Sequence, residues 1–375
     1  MIPVSLYIHI PWCIRKCPYC DFNSHQSPGL LPETQYIAAL IEDLDNDLER
    51  FPAGLIESIF IGGGTPSLLT PKAYEMLFVQ LKQRLNFAGD IEITLEANPG
   101  TVEQQRFAEY RALGINRLSI GIQSFNPMHL RALGRIHDSR QAHCAIDAAR
   151  SAGFDNLNLD LMHSLPNQTV QEGMLDLQTA LAHEPEHLSW YQLTIEPNTA
   201  FYKTKPPLPS EEIVCEMEEQ GFAKLKENHY LRYEISAFCR NNRFSRHNLN
   251  YWLFGDYYGI GAGAHGKHTR GNDIYRTRKH RQPNDYLDCH KPFLAETTRI
   301  NADDLIFEFM LNTSRLQQPI PLALFGERTG LALDLLMPGL NEAKNKGLIM
   351  LNDDVWQVTE LGRRYTNDLQ AIFLP

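Results

Sequence analysis

The chain has 375 residues and a formal net charge of −10, with 43% hydrophobic and 21% charged residues. This composition excludes a disordered protein, and the excess of acidic residues argues against nucleic acid as a partner. The seven cysteines are odd in number and unevenly placed, so they do not form a secreted disulfide framework and instead indicate a reducing, cytoplasmic compartment.

The first ten residues have neither the basic start nor the cleavage site of a secretory signal, and their pattern predicts a buried strand. No stretch reaches the roughly 18 unbroken apolar residues that a membrane-spanning helix needs. We therefore expect a cytoplasmic protein, for which a peripheral contact with a membrane stays open.

The first half of the chain alternates short apolar strands with amphipathic helices. Strands are predicted at residues 5–10, 57–61, 91–95, 117–122, 157–161 and 188–195. Helices are predicted at residues 32–50, 71–85, 101–113, 127–133, 139–152 and 169–183. This alternation predicts a parallel sheet with right-handed crossovers. The expected α/β fold is a partial (β/α)6, TIM-like barrel with an extended sheet, and the alternative is a doubly wound open sheet.

The pattern changes in the second half of the chain. A helix is predicted over residues 210–228 and a strand over 230–238, followed by a polar and aromatic run at 245–252. The glycine-rich loop 259–266 contains a match to G-x-G-x-x-G, but no helix pattern follows it. Because a dinucleotide site needs that helix, we do not interpret the match as one.

From about residue 300 the chain has the pattern of a small α+β domain that resembles a winged helix. Helices are predicted at 302–311 and 340–346, a hairpin at 348–358 and a last helix from 359 to 373. Residues 301–375 contain six basic and ten acidic side chains, so DNA binding does not follow. The expected domains are a core at 1–235, an extension of it at 236–298 and the C-terminal domain at 299–375.

Three cysteines near the N-terminus, Cys13, Cys17 and Cys20, have the spacing C-x₃-C-x₂-C. Three such thiolates cannot all serve one disulfide, and zinc normally takes four ligands, so a zinc knuckle would need a distant fourth ligand. A four-iron cluster on three thiolates leaves one iron open for a small molecule. Arg15 and Lys16 lie inside the loop, where we expect their charge to favour the thiolate form.

This spacing resembles the motif of the radical S-adenosylmethionine (radical SAM) superfamily, whose members carry it after the first barrel strand. The resemblance implies a [4Fe-4S] cluster on the three cysteines, with SAM chelating the open iron. A second segment, Gly62-Gly63-Gly64-Thr65-Pro66, follows the next strand. Consecutive glycines let a ligand approach the backbone, and a similar segment takes the SAM amino group in this superfamily.

Further motifs narrow the resemblance to proteins like the oxygen-independent coproporphyrinogen oxidases, over about residues 5–270. They are Tyr7-x-His9-x-Pro11-x-Cys13, Glu96-Ala97-Asn98-Pro99, Gly121-x-Gln123-Ser124-Phe125, Leu133-Gly134-Arg135 and Asp160-Leu161-Met162. The resemblance implies that the cluster-bound SAM contacts Tyr7, Gly63 and Glu96. It also implies that a second SAM molecule, or whatever takes its place, contacts Gly64, Thr65, Gln123, Arg135 and Asp160.

Phe22 departs from the oxidase motif, which continues as C-x₃-C-x₂-C-x-C. A phenylalanine supplies no thiol, and this argues against oxidative decarboxylation of coproporphyrinogen. Phe22 and the run H-N-x-x-Y-W at 247–252 instead resemble the HemW group of radical SAM heme chaperones. That resemblance implies heme binding at His247, with Tyr251 and Trp252 against the porphyrin. From the residues alone, the favoured interpretation of His247 is a satisfied loop histidine beside two core aromatics.

The expected function is therefore a heme chaperone that binds the cluster, SAM and heme and delivers heme to hemoproteins, with respiratory proteins as the implied recipients. One alternative is an oxygen-independent coproporphyrinogen III dehydrogenase or another radical SAM enzyme that acts on a tetrapyrrole. The other is a zinc-stabilised structural protein.

Overall fold

The computed structural model describes residues 2–375, except for the side chains of residues 101 and 102. The strands are β1 Val4–Ile10, β2 Trp12–Cys13, β3 His25–Gln26, β4 Leu55–Gly63, β5 Asn86–Ala97, β6 Arg117–Gln123, β7 Leu157–His163, β8 His187–Gln192, β9 Leu231–Arg232, β10 Ala237–Cys239, β11 Asp256–Ile260, β12 His265–Arg270, β13 Asp273–Lys279, β14 Leu294–Arg299, β15 Ile320–Pro321, β16 Ile349–Leu351 and β17 Val355–Val358.

The α-helices are α1 Glu33–Arg50, α2 Pro71–Arg84, α3 Thr101–Ala112, α4 Pro127–Ala132, α5 Ser139–Ser151, α6 Val170–Ala182, α7 Ala200–Thr204, α8 Glu211–Glu227, α9 Arg246–Trp252, α10 Pro283–Tyr286, α11 Ala302–Thr313, α12 Ala323–Thr329, α13 Met337–Asn345, α14 Glu360–Arg364 and α15 Thr366–Ala371. Short 3₁₀ helices occur at Pro66–Leu68 and Leu333–Leu335. Among the described residues, no helix is both long and apolar enough to cross a membrane.

One large sheet of 12 strands has the order β14-β13-β12-β11-β1-β4-β5-β6-β7-β8-β10-β9. Its central strands β1 and β4 to β8 are parallel and follow chain order. A parallel sheet in chain order keeps its crossover helices on one face, whereas a doubly wound sheet reverses its order. The partial barrel is therefore confirmed, and the doubly wound alternative is wrong. Within the described residues β9 and β14 do not pair with each other, so the barrel is open.

The two faces of this sheet differ in character because side chains alternate along each strand. Leu6 and Ile8 are fully buried in the main apolar core, which includes buried residues of the crossover helices. On the opposite, inner face Ser5 and Ser58 share a hydrogen bond of 2.8 Å between their hydroxyl groups. The inner face is therefore lined by polar groups that bond to one another.

The extension after α8 crosses from one edge of the sheet to the other. The single strand predicted over 230–238 is wrong, because β9 and β10 form an antiparallel hairpin in which Arg232 pairs with Phe238. The Arg232 guanidinium holds the turn by donating from Nε to the carbonyl of Ile235 at 3.0 Å. The chain then forms α9, whose N-cap is Ser245, and enters β11 beside β1 at the far side.

The C-terminal domain has its own apolar core, in which Phe325, Leu340 and Trp356 are buried. Its small sheet has the order β15-β17-β16, and the predicted hairpin is present as β16 and β17. Thr359 caps the following helix by accepting from the backbone N–H of Gly362 at 3.0 Å. The predicted last helix is wrong as a single element, because it breaks at Tyr365 into α14 and α15.

A buried ion-pair cluster joins α1 to the extension. The ammonium group of Lys279 donates to Asp43 and, at 2.7 Å, to Asp47, and all three side chains are fully buried. Asp43 also accepts from the Tyr286 hydroxyl at 2.7 Å and from the Gly261 backbone N–H at 3.1 Å. Burial raises the pKa of Asp47 to about 6. The cluster therefore fixes the start of the glycine-rich loop relative to the barrel.

We predict that Lys279→Met lowers the free energy of unfolding by about 3–5 kcal/mol, because it leaves two buried carboxyl groups without their cation. Urea denaturation followed by circular dichroism measures the change. The matched control is Lys291→Met, which removes a half-exposed ion pair with Asp285 and should cost less than about 1 kcal/mol. Equal losses in the two variants would contradict a structural role for the cluster.

Candidate functional site

A cavity of about 480 Å³ lies at the carboxyl ends of the parallel strands. It brings together eleven of the thirteen residues that the sequence singles out, namely Cys13, Cys17, Cys20, Phe22, Gly63, Gly64, Thr65, Glu96, Gln123, Arg135 and Asp160. The other two, Tyr7 and His247, do not line it.

The cysteine loop runs from β2 to β3 and is closed by its own backbone. The N–H of Cys20 donates to the carbonyl of Cys17 at 3.2 Å, and the N–H of Ser24 donates to that of Phe22 at 2.7 Å. The Lys16 ammonium group donates to the carbonyls of Phe22 and Ser24, each at 3.2 Å. The three cysteines of the loop are free and half-buried.

The surroundings of Cys13 and Cys20 disfavour the thiolate form of these two side chains. Burial raises the pKa of Cys13 and of Cys20 above the ordinary value for a thiol. The positive charge of Lys16 lowers the pKa of Cys20, but this effect is smaller than that of burial. The expected effect of Lys16 is therefore present at Cys20, where its charge favours the thiolate form, but desolvation outweighs that charge.

The glycine-rich segment lies against the cysteine strand. Gly64 donates its N–H to the carbonyl of Ile10 at 2.7 Å, and Thr65 donates to that of Trp12 at 2.8 Å. Gly63 has a φ of 114°, and a Cβ built there would lie 2.5 Å from the ring of His9. Only glycine fits this position, so the approach of the two backbones requires it.

Two carboxyl groups, those of Glu96 and Asp160, face the cavity. Glu96 accepts from the Gly63 N–H at 3.1 Å, and burial together with the charge of Asp160 raises its pKa to about 7. Asp160 accepts from Ser119 at 3.1 Å and from Asn158 at 2.8 Å, and burial raises its pKa. Across residues 2–375, neither carboxylate forms an ion pair with a basic side chain, so both are available as acceptors for a ligand.

Arg135 connects the cysteines to the glycine-rich segment. Its guanidinium donates to Asn98 at 2.6 Å and lies 3.6 Å from the sulfur of Cys17. Asn98 in turn donates to the hydroxyl of Thr65 at 3.0 Å. The Nε of Arg135 is buried and, among the described residues, has no hydrogen-bond partner. A buried donor without a partner calls for an explanation, and an acceptor group bound in this cavity would supply one.

The sequence-based prediction assigned no role to several residues of this cavity, among them Asn98 and Tyr191. Asn98 is part of the quoted motif at residues 96–99, so the signal was present although no role was assigned to it. Tyr191 stands in no motif, and its hydroxyl donates to Gln123 at 2.8 Å. Gln123 itself has a φ of 68°, a left-handed conformation that non-glycine residues rarely adopt and that is frequent at functional sites.

A second cavity of about 610 Å³ lies beside the first. Phe22, Gly63 and Glu96 line both cavities, and the Phe22 side chain is 63% exposed. The remainder of the lining includes Tyr7, His9, Tyr251, Tyr257, His265, Arg278 and Arg281. Tyr7 and Glu96 therefore line the same second cavity. No motif in the sequence had assigned a role to His265, Arg278 or Arg281.

His247 is buried on the inner face of the sheet and lines neither cavity. Its Nδ1 lies 3.1 Å from the Ser58 hydroxyl, and its Nε2 lies 2.8 Å from the hydroxyl of Tyr251. Burial lowers its pKa to about 3, and its ring stacks on that of Phe60. Both ring nitrogens are thus engaged. Trp252 does not reach a cavity either, since its ring lies under the guanidinium of Arg315.

Comparison with known proteins gives two family matches. The radical SAM superfamily matches residues 7–178, and the HemN C-terminal domain matches residues 300–365. Among solved structures, the coproporphyrinogen III oxidase HemN of Escherichia coli superposes with a TM-score of 0.84 over 99% of this chain and 90% of that chain. At 23% sequence identity, this likeness establishes the fold.

Curated relatives match over their whole length. The chain is 47% identical to the heme chaperone HemW of Escherichia coli and 46% identical to that of Haemophilus influenzae, covering 99% of this chain and 98% of each relative. It is 34% identical to the heme chaperone HemW of Bacillus subtilis, covering 99% of both chains. The chain therefore belongs to the HemW family of heme chaperones within the radical SAM superfamily.

Proposed function

We propose that this chain holds a [4Fe-4S] cluster on Cys13, Cys17 and Cys20, binds SAM beside it, and carries heme to recipient hemoproteins in the cytoplasm, respiratory proteins among them. The observation that supports this most is the 480 Å³ cavity, which places three thiols, glycine backbone and two carboxyl groups around one space. We also infer the three domains that the sequence predicts, namely a core at 1–235, an extension at 236–298 and a C-terminal domain at 299–375.

The residues present fit an iron–sulfur cluster. Thiolates are the soft ligands that such clusters take, and three of them leave one iron for another ligand. In the described lining of this cavity, no fourth cysteine and no histidine accompanies the three. A zinc site with four protein ligands is therefore less well supported than a cluster with an open iron.

The residues opposite the cysteines fit SAM. Gly63 and Gly64 expose backbone without side chains, and Glu96 offers a carboxylate to an ammonium or hydroxyl group. Arg135, with its unpaired Nε, offers a buried donor to a carboxylate or to a sulfur of the cluster. When both are bound, the cluster can supply an electron to the sulfonium of SAM. The protein's part is to orient SAM and to exclude water.

Phe22 favours the chaperone over the dehydrogenase. It occupies the position at which the oxidase motif has a fourth cysteine, and its ring forms a wall shared by the two cavities. A phenyl ring supplies neither a proton nor a metal ligand there. The site therefore lacks one group of the oxidase motif while keeping the groups that bind a cluster and SAM.

The proposal predicts transfer without turnover. Heme-loaded, cluster-reconstituted protein should pass heme to a heme-free cytochrome, which absorbance at the Soret band follows. The same preparation, supplied with coproporphyrinogen III, SAM and a reductant, should produce no protoporphyrinogen. Turnover of coproporphyrinogen would instead establish the dehydrogenase.

We predict that Cys17→Ser removes most of the iron and acid-labile sulfide bound after anaerobic reconstitution, because a hydroxyl is a poor ligand for this soft site. Iron and sulfide assays per chain measure the loss. Cys144→Ser, at an exposed cysteine outside the cavity, is the control and should retain the parent's iron content. Parental iron content in Cys17→Ser would refute the assignment of this ligand.

We predict that SAM affinity rises with pH through the ionisation of Glu96. A raised pKa of about 7 means that this carboxyl is mostly protonated at pH 6 and mostly ionised at pH 8. If the ionised form accepts from the SAM amino group, the affinity at pH 8 exceeds that at pH 6 by about tenfold.

Anaerobic calorimetric titration of cluster-loaded protein with SAM, at pH values from 6 to 8, measures this change in affinity. Glu96→Gln keeps the shape of the side chain and removes its titration, so the difference between the parent and variant profiles isolates this carboxyl. Identical pH profiles for the parent and Glu96→Gln would exclude the carboxyl from the SAM site.

A further inference from the structure

We infer that heme occupies the second cavity, with His265 as an axial ligand of the iron and with Arg281 and Arg278 at the propionate groups. This inference rests on the proposed function and assigns a place to the heme that the function requires. The cavity volume of about 610 Å³ lies within the range of about 300–1,000 Å³ usual for pockets that bind cofactors.

Two histidines line this cavity, and their surroundings differ. The Nδ1 of His9 lies 3.0 Å from the Tyr7 hydroxyl and its Nε2 lies 2.8 Å from the carbonyl of Asn23, so both nitrogens are engaged. His265 has an exposed side chain, and within residues 2–375 its ring makes no hydrogen bond. His265 is therefore the histidine that can offer a nitrogen to heme iron without breaking an existing contact.

The charge of the lining suits a dicarboxylate. His265 on β12 pairs across the sheet with Arg278 on β13, so the imidazole and this guanidinium are neighbours. The charge of Arg278 is partly compensated by Glu296, whose carboxylate lies 2.8 Å from the Arg278 guanidinium. Arg281 forms no ion pair among the described residues. Glu96 is the acidic residue of the described lining. In a chain of net charge −10, this is a locally basic cavity.

Aromatic side chains supply the flat surfaces that a porphyrin needs. Tyr251 and Tyr257 line the cavity with their ring centres 4.3 Å apart, and Phe22 closes the side toward the cysteine loop. His247 supports this wall through its bond to the Tyr251 hydroxyl. We therefore assign His247 as a positioning residue for Tyr251 and not as an iron ligand, which reinterprets the H-N-x-x-Y-W run.

The cavity is also joined to the cysteine loop by Asn23. The side-chain amide of Asn23 donates to the carbonyls of Ala262 and Arg281, each at 2.9 Å. Asn23 lies next to Phe22 in the chain, so the loop that carries the cysteines also helps to build the edge of the heme cavity. Heme in this position would lie beside the cluster and SAM, separated from them by Phe22, Gly63 and Glu96.

The test is anaerobic titration of the full-length, cluster-loaded protein with hemin, followed by absorbance and resonance Raman spectroscopy. His265→Ala should raise the Kd at least about tenfold and change the Soret band and the spin-state marker bands. Added imidazole should restore the parental spectrum. His290→Ala, at an exposed histidine outside the cavity, should leave both the Kd and the spectrum unchanged.

His247→Ala separates a positioning role from ligation. It should weaken hemin binding while the Soret band and marker bands stay parental, and imidazole should have no restoring effect. Loss of the parental spectrum in His247→Ala, together with its retention in His265→Ala, would overturn the inference and restore His247 as the ligand.

Arg281→Ala tests the propionate contact. It should weaken hemin about tenfold and leave the dimethyl ester of hemin unaffected, because the ester has no carboxylate to lose a partner. Arg270→Ala, at an exposed arginine at the end of β12, is the control. An equal loss of affinity for hemin and for its dimethyl ester would count against the propionate contact.

These outcomes distinguish the two proposals. A parent protein that binds no hemin would refute the proposed function itself. A parent that binds hemin with a spectrum indifferent to His265→Ala would refute the inference and leave the function standing. The iron content of each variant, measured in the same preparation, shows that the fold and the cluster site are intact.

Discussion

The contact on which this site depends is the approach of the end of β4 to the cysteine strand. It consists of backbone bonds from Gly64 and Thr65 to the carbonyls of Ile10 and Trp12. No side chain takes part, and Gly63 permits it only because its φ of 114° and missing Cβ accommodate the ring of His9. Because Gly63 also donates its N–H to the Glu96 carboxylate, the cysteine loop, the glycine-rich segment and Glu96 are held as one unit.

The polar inner face of the sheet extends this unit toward the second cavity. Ser5 and Ser58 bond to each other, Ser58 bonds to His247, and His247 bonds to Tyr251, whose ring lines that cavity. Inside a protein such a chain holds its members more rigidly than apolar packing would, since each group is satisfied by the next. These hydrogen bonds thus position the ring of Tyr251, a candidate porphyrin contact, relative to the barrel.

The parallel core could be predicted from the sequence because its strands, turns and caps are local patterns, as in Thr70, which caps α2 with Pro71 in the first turn. The cysteine spacing is equally local. The environment of His247 is not a local pattern. It depends on Ser58, which is far away in the chain, and on helix α9, which the sequence did not predict. The environment of His265 is not predictable from local pattern either, because its neighbour Arg278 is placed by the pairing of two strands. The missed hairpin of β9 and β10 has no glycine, proline or asparagine in its turn.

Phe22 is the position at which this chain departs from the cysteine motif of the oxidases. A thiol at this position would offer a proton or a ligand between SAM and a bound tetrapyrrole, and a phenyl ring offers only an apolar surface. In the proposed arrangement the iron is then held by a single histidine at an exposed edge of the cavity, and release requires one coordination bond to break. Since affinity is tuned mainly through the rate of dissociation, a contact at an accessible edge suits release of heme better than an enclosed site would.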